Sequence, residues 1–169
     1  MKQKTFIKKS VTSLVLFTLL ILGTTAGASE INDADALSGL TNGKGVYLIS
    51  LDKPQKAALY LAIIKDTHQS MAAQGVKPDF IVVFVGSTVR FLTTEPAAEL
   101  REAKPALESI AASIKELKKL GVRQEVCVIA TDFFKISKDD LLPQLSLVGN
   151  GFSSLIGYQA KGYGLVPIF

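Results

Sequence analysis

Short apolar runs alternate along this chain with stretches whose apolar residues recur every three or four positions. Gly45 to Ser50 is an apolar run behind the turn signals Asn42-Gly43 and Gly45, and it predicts a buried strand. Asp52 is placed to cap a helix with Pro54 in its first turn, running to about Gln74 and stopped by Gly75. Ala57, Leu61, Ile64, His68 and Met71 fall on one face of that helix. Asp79 to Val85 holds six consecutive apolar residues, the pattern of a strand covered on both faces, and Gly86-Ser87-Thr88 ends it. Val89 to Leu92 reads as a short extended or helical piece, and Thr93 to Lys104 as a loop or single turn. Pro105 suits the first turn of a second long helix, striped by Leu107, Ile110, Ile114 and Leu117 and closed by Gly121.

Gln124 to Ala130 reads as a third strand, and Ser137 or Lys138 to Leu142 as a turn of helix before Pro143. Leu145 to Val148 reads as a brief fourth strand. Asn150 is placed to cap a last helix, Gly151 to Lys161, which Gly162 ends before a terminal strand from Tyr163 to Ile168. Strands alternating with helices predict a three-layer α/β fold with a mostly parallel sheet and right-handed crossovers. The 169 residues show no repeat, low-complexity tract or linker, which indicates one domain. Residues 29–44 are polar with scattered apolar positions and read as an N-terminal extension, with a short helix over Asp33 to Leu40.

Charge changes the picture only at the N-terminus. The formal net charge is +4, but four of the 19 basic residues (Lys2, Lys4, Lys8 and Lys9) fall in the first nine positions. That leaves 15 basic against 15 acidic residues, a near-neutral body that gives no support for nucleic-acid binding. The lysines precede a nearly all-apolar stretch, Leu14 to Leu22, and the small-x-small triplet Ala26-Gly27-Ala28. Together these predict a signal peptide over residues 1–28, cleaved after Ala28, with Ser29 as the first residue of a periplasmic or secreted protein. The apolar stretch is shorter than the roughly 20 residues a membrane-spanning helix needs, so no membrane association is expected after cleavage.

Cys127 is the single cysteine, so an exported body cannot form an internal disulfide, and the thiol is buried, paired between chains, or reactive. It sits near the end of a predicted strand, and in α/β sheets ligands gather at the carboxyl ends of strands.

Around that cysteine the residues resemble the DsrE/DsrF-like family of small sulfur-handling proteins. Val126-Cys127-Val128 followed by Asp140-Leu141-Leu142-Pro143 is similar to its hydrophobic-Cys, short loop, DLLP pattern. Gly151, Leu155, Ile156, Gln159, Gly162, Tyr163 and Pro167 are similar to the family ending. The resemblance covers roughly Gly45 to Pro167 and implies a flavodoxin-like, DsrE-like sheet of about five strands over residues 45–169. It also implies homo- or hetero-oligomers, commonly trimers or hexamers. In the sulfur-relay members a cysteine near this place carries sulfur as a persulfide, and Cys127 is the position here onto which that role carries over. Thr131-Asp132-Phe133-Phe134-Lys135 departs from the small or basic loop of many relatives.

Sulfur transfer requires a thiolate, favoured by a helix N-terminus or a nearby cation. Lys135 and Lys138 are the nearest basic residues after Cys127, Asp132 would oppose them, and Phe133 and Phe134 could form an apolar wall. His68 could act as a base or ligand, but on an apolar stripe it reads first as a packed core histidine. With one Cys and one His, a zinc site built only from those residue types is excluded, and no metal or cofactor is expected. Gly86-Ser87-Thr88 lacks the Gly-Lys-Ser/Thr of a phosphate loop and reads as a plain turn, and Lys115, Lys118 and Lys119 as a solvated helix face.

Two readings of function follow. In the first, an exported, homo-oligomeric protein carries persulfide sulfur on Cys127 between a donor and an acceptor protein, as a sulfurtransferase-like carrier. In the second, a non-catalytic oligomeric binding module uses the same fold with Cys127 in its core. A thiol redox sensor is a third.

Overall fold

A computed structural model describes residues 31–169. The predicted signal peptide, residues 1–28, lies outside the described residues. Asp33–Phe169 forms one compact unit. It opens with a one-turn helix, α1 (Ala34–Leu37). The elements that follow are β1 (Asn42–Ile49), α2 (Pro54–Ala73), β2 (Lys77–Phe84), α3 (Lys104–Lys119), β3 (Arg123–Cys127), α4 (Val128–Phe133), β4 (Ser146–Val148), α5 (Gly151–Ala160) and β5 (Gly164–Ile168). The sheet has five strands in the order β4-β3-β2-β1-β5. Every pairing is parallel.

The three-layer expectation holds, and the layers are unequal. In the ladder Leu48 pairs with Val83 and Val83 with Glu125, so Leu48, Val83, Glu125 and Cys127 share one face. Among the described residues, helix α5 packs across that face. The other face carries Tyr47, Phe80, Val82, Phe84, Gln124 and Val126, and α2 and α3 pack side by side over it. Tyr47 meets Phe80 edge-on at 5.2 Å, and burial pushes its hydroxyl pKa up to about 12. Gln124, buried, donates to the Ile114 carbonyl at 2.9 Å and so ties β3 to α3.

Several local expectations shift. Asp52 does not cap α2: Lys53 holds the cap position with no side-chain bond, and Pro54 at the start simply has no N–H to satisfy. The glycines named as helix stops, Gly75, Gly121 and Gly162, all take φ near +80°. Gly86 to Phe91 and Ala98 to Ala103 form 3-10 turns, which takes the helical alternative of the short piece expected over Val89 to Leu92 and the single-turn alternative of the segment Thr93 to Lys104. The third strand ends at Cys127 rather than Ala130, because Cys127 pairs with Val148 and no ladder partner lies beyond it. The next backbone groups must bond within their own segment. They do so as α4, where Thr131 donates its hydroxyl to the Val128 carbonyl at 2.9 Å and the Phe134 N–H bonds to Ala130.

Both sheet edges are blunted. β4 has three residues. On β5, the Ser50 N–H bonds to the Ile168 carbonyl at 2.9 Å, which turns Pro167 to the outer edge, where its missing N–H costs no ladder bond and offers none to a foreign strand.

The core beneath α3 should be sensitive to cavities. Ile114 is fully buried, so Ile114→Ala should cost about 2–5 kcal/mol. Lys56→Ala, at an exposed site on α2, should stay within about 0.5 kcal/mol of the parent. Urea unfolding of the two variants checks both values.

Candidate functional site

The carboxyl ends of β2 and β3 and the start of α5 converge on Cys127. The strand carries the side chain onto the α5 face, and the turn into α4 leaves it at the floor of a cavity of about 320 Å³. Val85 and Gly86 bound this cavity from the end of β2. Ile129, Ala130 and Phe133 come from α4, Phe134 follows it, and Asn150 and Phe152 come from the start of α5. The thiol is 6% exposed. Ile129, Phe133 and Phe152 stand open to solvent at the mouth.

Asn150 caps α5 as its sequence position predicts, taking the Phe152 N–H on its side-chain oxygen at 2.9 Å. The next residue, Gly151, donates its N–H to Cys127 Sγ at 3.3 Å. The positive end of a ten-residue helix therefore faces the sulfur. Hydrogen bonds of this kind strengthen when the acceptor is ionised. Gly151 is obligatory for the approach. A Cβ there would lie 2.8 Å from Val85 Cγ1, 3.2 Å from Val83 Cγ1 and 3.3 Å from Cys127 Cβ.

The far end of α5 is held by polar groups that sequence reading did not single out. Tyr158 donates its hydroxyl to Glu125 at 2.5 Å and receives a bond from Arg123 at 2.9 Å. Glu125 is buried, and its second oxygen has no partner among the described residues. Burial, then the bond to Glu125, raises the Tyr158 pKa above its ordinary value. Glu125 and Cys127 lie two residues apart on β3, and Tyr158 and Gly151 seven apart on α5, so the helix is tied to one strand at two points. The alternation of Arg123, Glu125 and Cys127 along β3 was the available signal. Tyr158 is buried, whereas Phe152 is exposed.

The basic residues expected near the thiol stand elsewhere. Lys135, in a left-handed conformation, lines a separate groove with Arg90 and Glu99. Lys138 begins a 3-10 turn, Lys138–Asp140. Neither lines the Cys127 cavity, while Phe133 and Phe134 do. Arg90 stacks over the Phe134 ring at 5.9 Å and pairs with Glu99 at 2.7 Å, which holds that wall from behind.

His68 sits toward the amino end of the sheet, edge-on to Phe80 at 5.5 Å. Burial lowers its pKa, against the opposing effect of the Leu120 carbonyl. The fold does not bring it to Cys127. Gly86-Ser87-Thr88 is committed internally, since the Thr88 hydroxyl accepts the Leu51 N–H at 2.6 Å and Ser87 donates to the Leu51 carbonyl at 2.9 Å. A larger groove of about 460 Å³ lies between the Ala98–Ala103 turn and α3. Its charged residues include Lys104 and Glu108, paired with each other at 3.8 Å, and no thiol or imidazole lines it. Among the described residues no cluster of three or more metal-ligating side chains occurs, and no helix is long and apolar enough to cross a membrane.

An open parallel α/β sheet with one thiol at the carboxyl end of a central strand defines the class of this molecule. The model of the DsrE/DsrF-like family matches residues 44–167, and the chain belongs to that family. Among solved structures it is similar to the protein of unknown function MTH1491 from Methanobacterium thermoautotrophicum, at 18% identity and a TM-score of 0.59. That match covers 74% of this chain and 98% of the other. It is also similar to the ychN protein from E. coli, at 16% identity and a TM-score of 0.56, with 75% and 99% covered. At these identities the likeness speaks to the fold. No curated protein matches the chain.

Two glycines of α5 should respond in opposite directions. Gly151→Ala forces the helix off the sheet and should cost about 1–3 kcal/mol. Gly157→Ala meets open space and should stabilise by roughly 0.5–1 kcal/mol, as expected for a glycine inside a helix. Urea midpoints of the two variants give the signs.

Proposed function

We propose that this protein handles reduced sulfur, carrying sulfane sulfur as a persulfide on Cys127 and passing it to a partner thiol. The single observation that carries the reading is the thiol at the floor of an open cavity, with a helix N-terminal N–H on its sulfur. Membership of the DsrE/DsrF-like family over residues 44–167, a span that includes Cys127, supports it. In loading, the thiolate attacks the terminal sulfur of a donor, a sulfur–sulfur bond forms at Sγ, and the donor's own sulfur–sulfur bond breaks. An acceptor thiolate then removes the outer sulfur and restores Cys127.

Folded protein held with a sulfane donor, either benzyl hydropersulfide or a large excess of polysulfide, should gain one sulfur atom by intact mass, and Cys127→Ser, still folded, should gain none. If the native thiol resists both polysulfide and a small alkylating agent until the protein is unfolded, Cys127 is core and the binding-module reading replaces the carrier.

The protein is further proposed to be exported, as the N-terminal lysines and the Ala26-Gly27-Ala28 triplet suggest, and to assemble as a homo-oligomer. Exposed apolar residues on two helices, Leu59 and Ile63 of α2 and Ile156 of α5, support assembly. Native mass spectrometry of protein recovered from the cell envelope should give a chain starting at Ser29 in an oligomer. A retained Met1 to Ala28 would defeat the export proposal, and a monomer at micromolar concentration would defeat the oligomer.

A further inference from the structure

We infer that the Cys127 cavity takes a donor that enters uncharged and carries an apolar organic group, an alkyl or aryl hydropersulfide in its protonated form R–S–SH, and discriminates against anionic donors such as thiosulfate or inorganic polysulfide. The inference rests on the carrier reading above and adds the class of donor. Among the described residues no charged side chain lines the cavity, and its polar groups are the thiol itself, backbone, and the Asn150 amide, whose oxygen already caps α5. The Gly151 N–H that could greet an anion is already on Sγ. The nearest guanidinium, that of Arg90, lies behind the Phe134 ring and is neutralised by Glu99.

An anion entering this space would give up its hydration for no charged partner, with only the Asn150 amide N–H groups to replace it. It would also approach a thiolate of like charge in a medium of low dielectric, where repulsion is strongest. A neutral donor meets neither barrier. At about 320 Å³ the cavity is at the small end for a ligand site, and the rings of Phe133, Phe134 and Phe152 offer an apolar group its contacts.

The loading step balances without any further reagent. The Cys127 thiolate attacks the terminal sulfur of R–S–SH, and the Sγ–S bond forms as the R–S–SH sulfur–sulfur bond breaks. R–S⁻ leaves with the electron pair and takes from water the proton that Cys127 gave up, so Cys127 ends as a hydropersulfide and the donor as a thiol.

Iodoacetamide and iodoacetate, one neutral and one anionic, test the charge rule without any sulfur chemistry. For the folded protein the ratio of their rates, neutral over anionic, should exceed the ratio for free glutathione by roughly tenfold, the effect of about 1.4 kcal/mol at the transition state. Phe133 is 78% exposed at the mouth, so Phe133→Lys should fold normally, raise the iodoacetate rate several-fold and collapse the ratio, while Phe133→Leu should leave it. With sulfur donors, benzyl hydropersulfide should load Cys127 faster than glutathione hydropersulfide by intact mass.

A ratio equal to that of glutathione, or equal loading by the two hydropersulfides, overturns the inference while leaving the carrier intact. A high alkylation ratio with no loading from any donor removes the carrier and with it the assigned donor. A thiol that reacts with neither alkylating agent before unfolding overturns both.

Discussion

The close approach of Gly151 to the sheet is the contact on which the rest of this structure depends. The backbone of α5 rests against Val83, Val85 and Cys127 at distances that leave no room for a Cβ. One missing methyl group therefore does two things at once. It lets a helix lie flat on that face of the sheet, and it sets the first N–H of that helix on the sulfur. A larger residue would lift the helix, thin the core beneath it and remove the sulfur's hydrogen bond together.

The second tie, Tyr158 to Glu125, sets the angle of the same helix. A buried carboxylate is costly unless hydrogen-bonded. Here one oxygen is satisfied by a tyrosine that itself takes a bond from Arg123, so strand and helix share a polar seam inside an otherwise apolar layer. The uneven cover of the sheet follows from helix lengths. With 20 and 16 residues, α2 and α3 span one face, whereas ten residues of α5 cross the other. The short α5 starts at the strand ends without roofing them, and the cavity over Cys127 is the space left between it and α4.

Much of this was legible in the residues. The unbroken apolar run from Phe80 to Val85 fixes a strand buried on both faces, and the stripe Leu107, Ile110, Ile114 and Leu117 fixes a helix facing it. Asn150 and the glycines at 75, 121 and 162 mark helix ends by local chemistry that needs no tertiary partner. The order of motifs from Val126-Cys127-Val128 to Pro167 was enough to place the chain in its family. The stretch from Val128 to Ala130 was misread as strand, because its β-branched residues are good in strands and the absence of a ladder partner is not written in the local sequence. The pairing of Lys135 and Lys138 with Cys127 was misread for a similar reason. Short separation along the chain suggested nearness, but α4 and the left-handed turn at Lys135 carry Lys135 to another groove and Lys138 into the 3-10 turn that follows.

By itself the sequence determined the elements, their alternation, the parallel three-layer plan and the lone thiol at a strand end, since each rests on periodicity, capping or turn chemistry within a few residues. Only the tertiary structure decided what surrounds that thiol. The N–H on Sγ comes from 24 residues downstream, and the seam from Glu125 to Tyr158 spans 33. Contacts at such separations exist only after strands have paired and a helix has crossed the sheet. The absence of charge around the cavity is likewise a property of how α4 and α5 pack. No local pattern of residues encodes it.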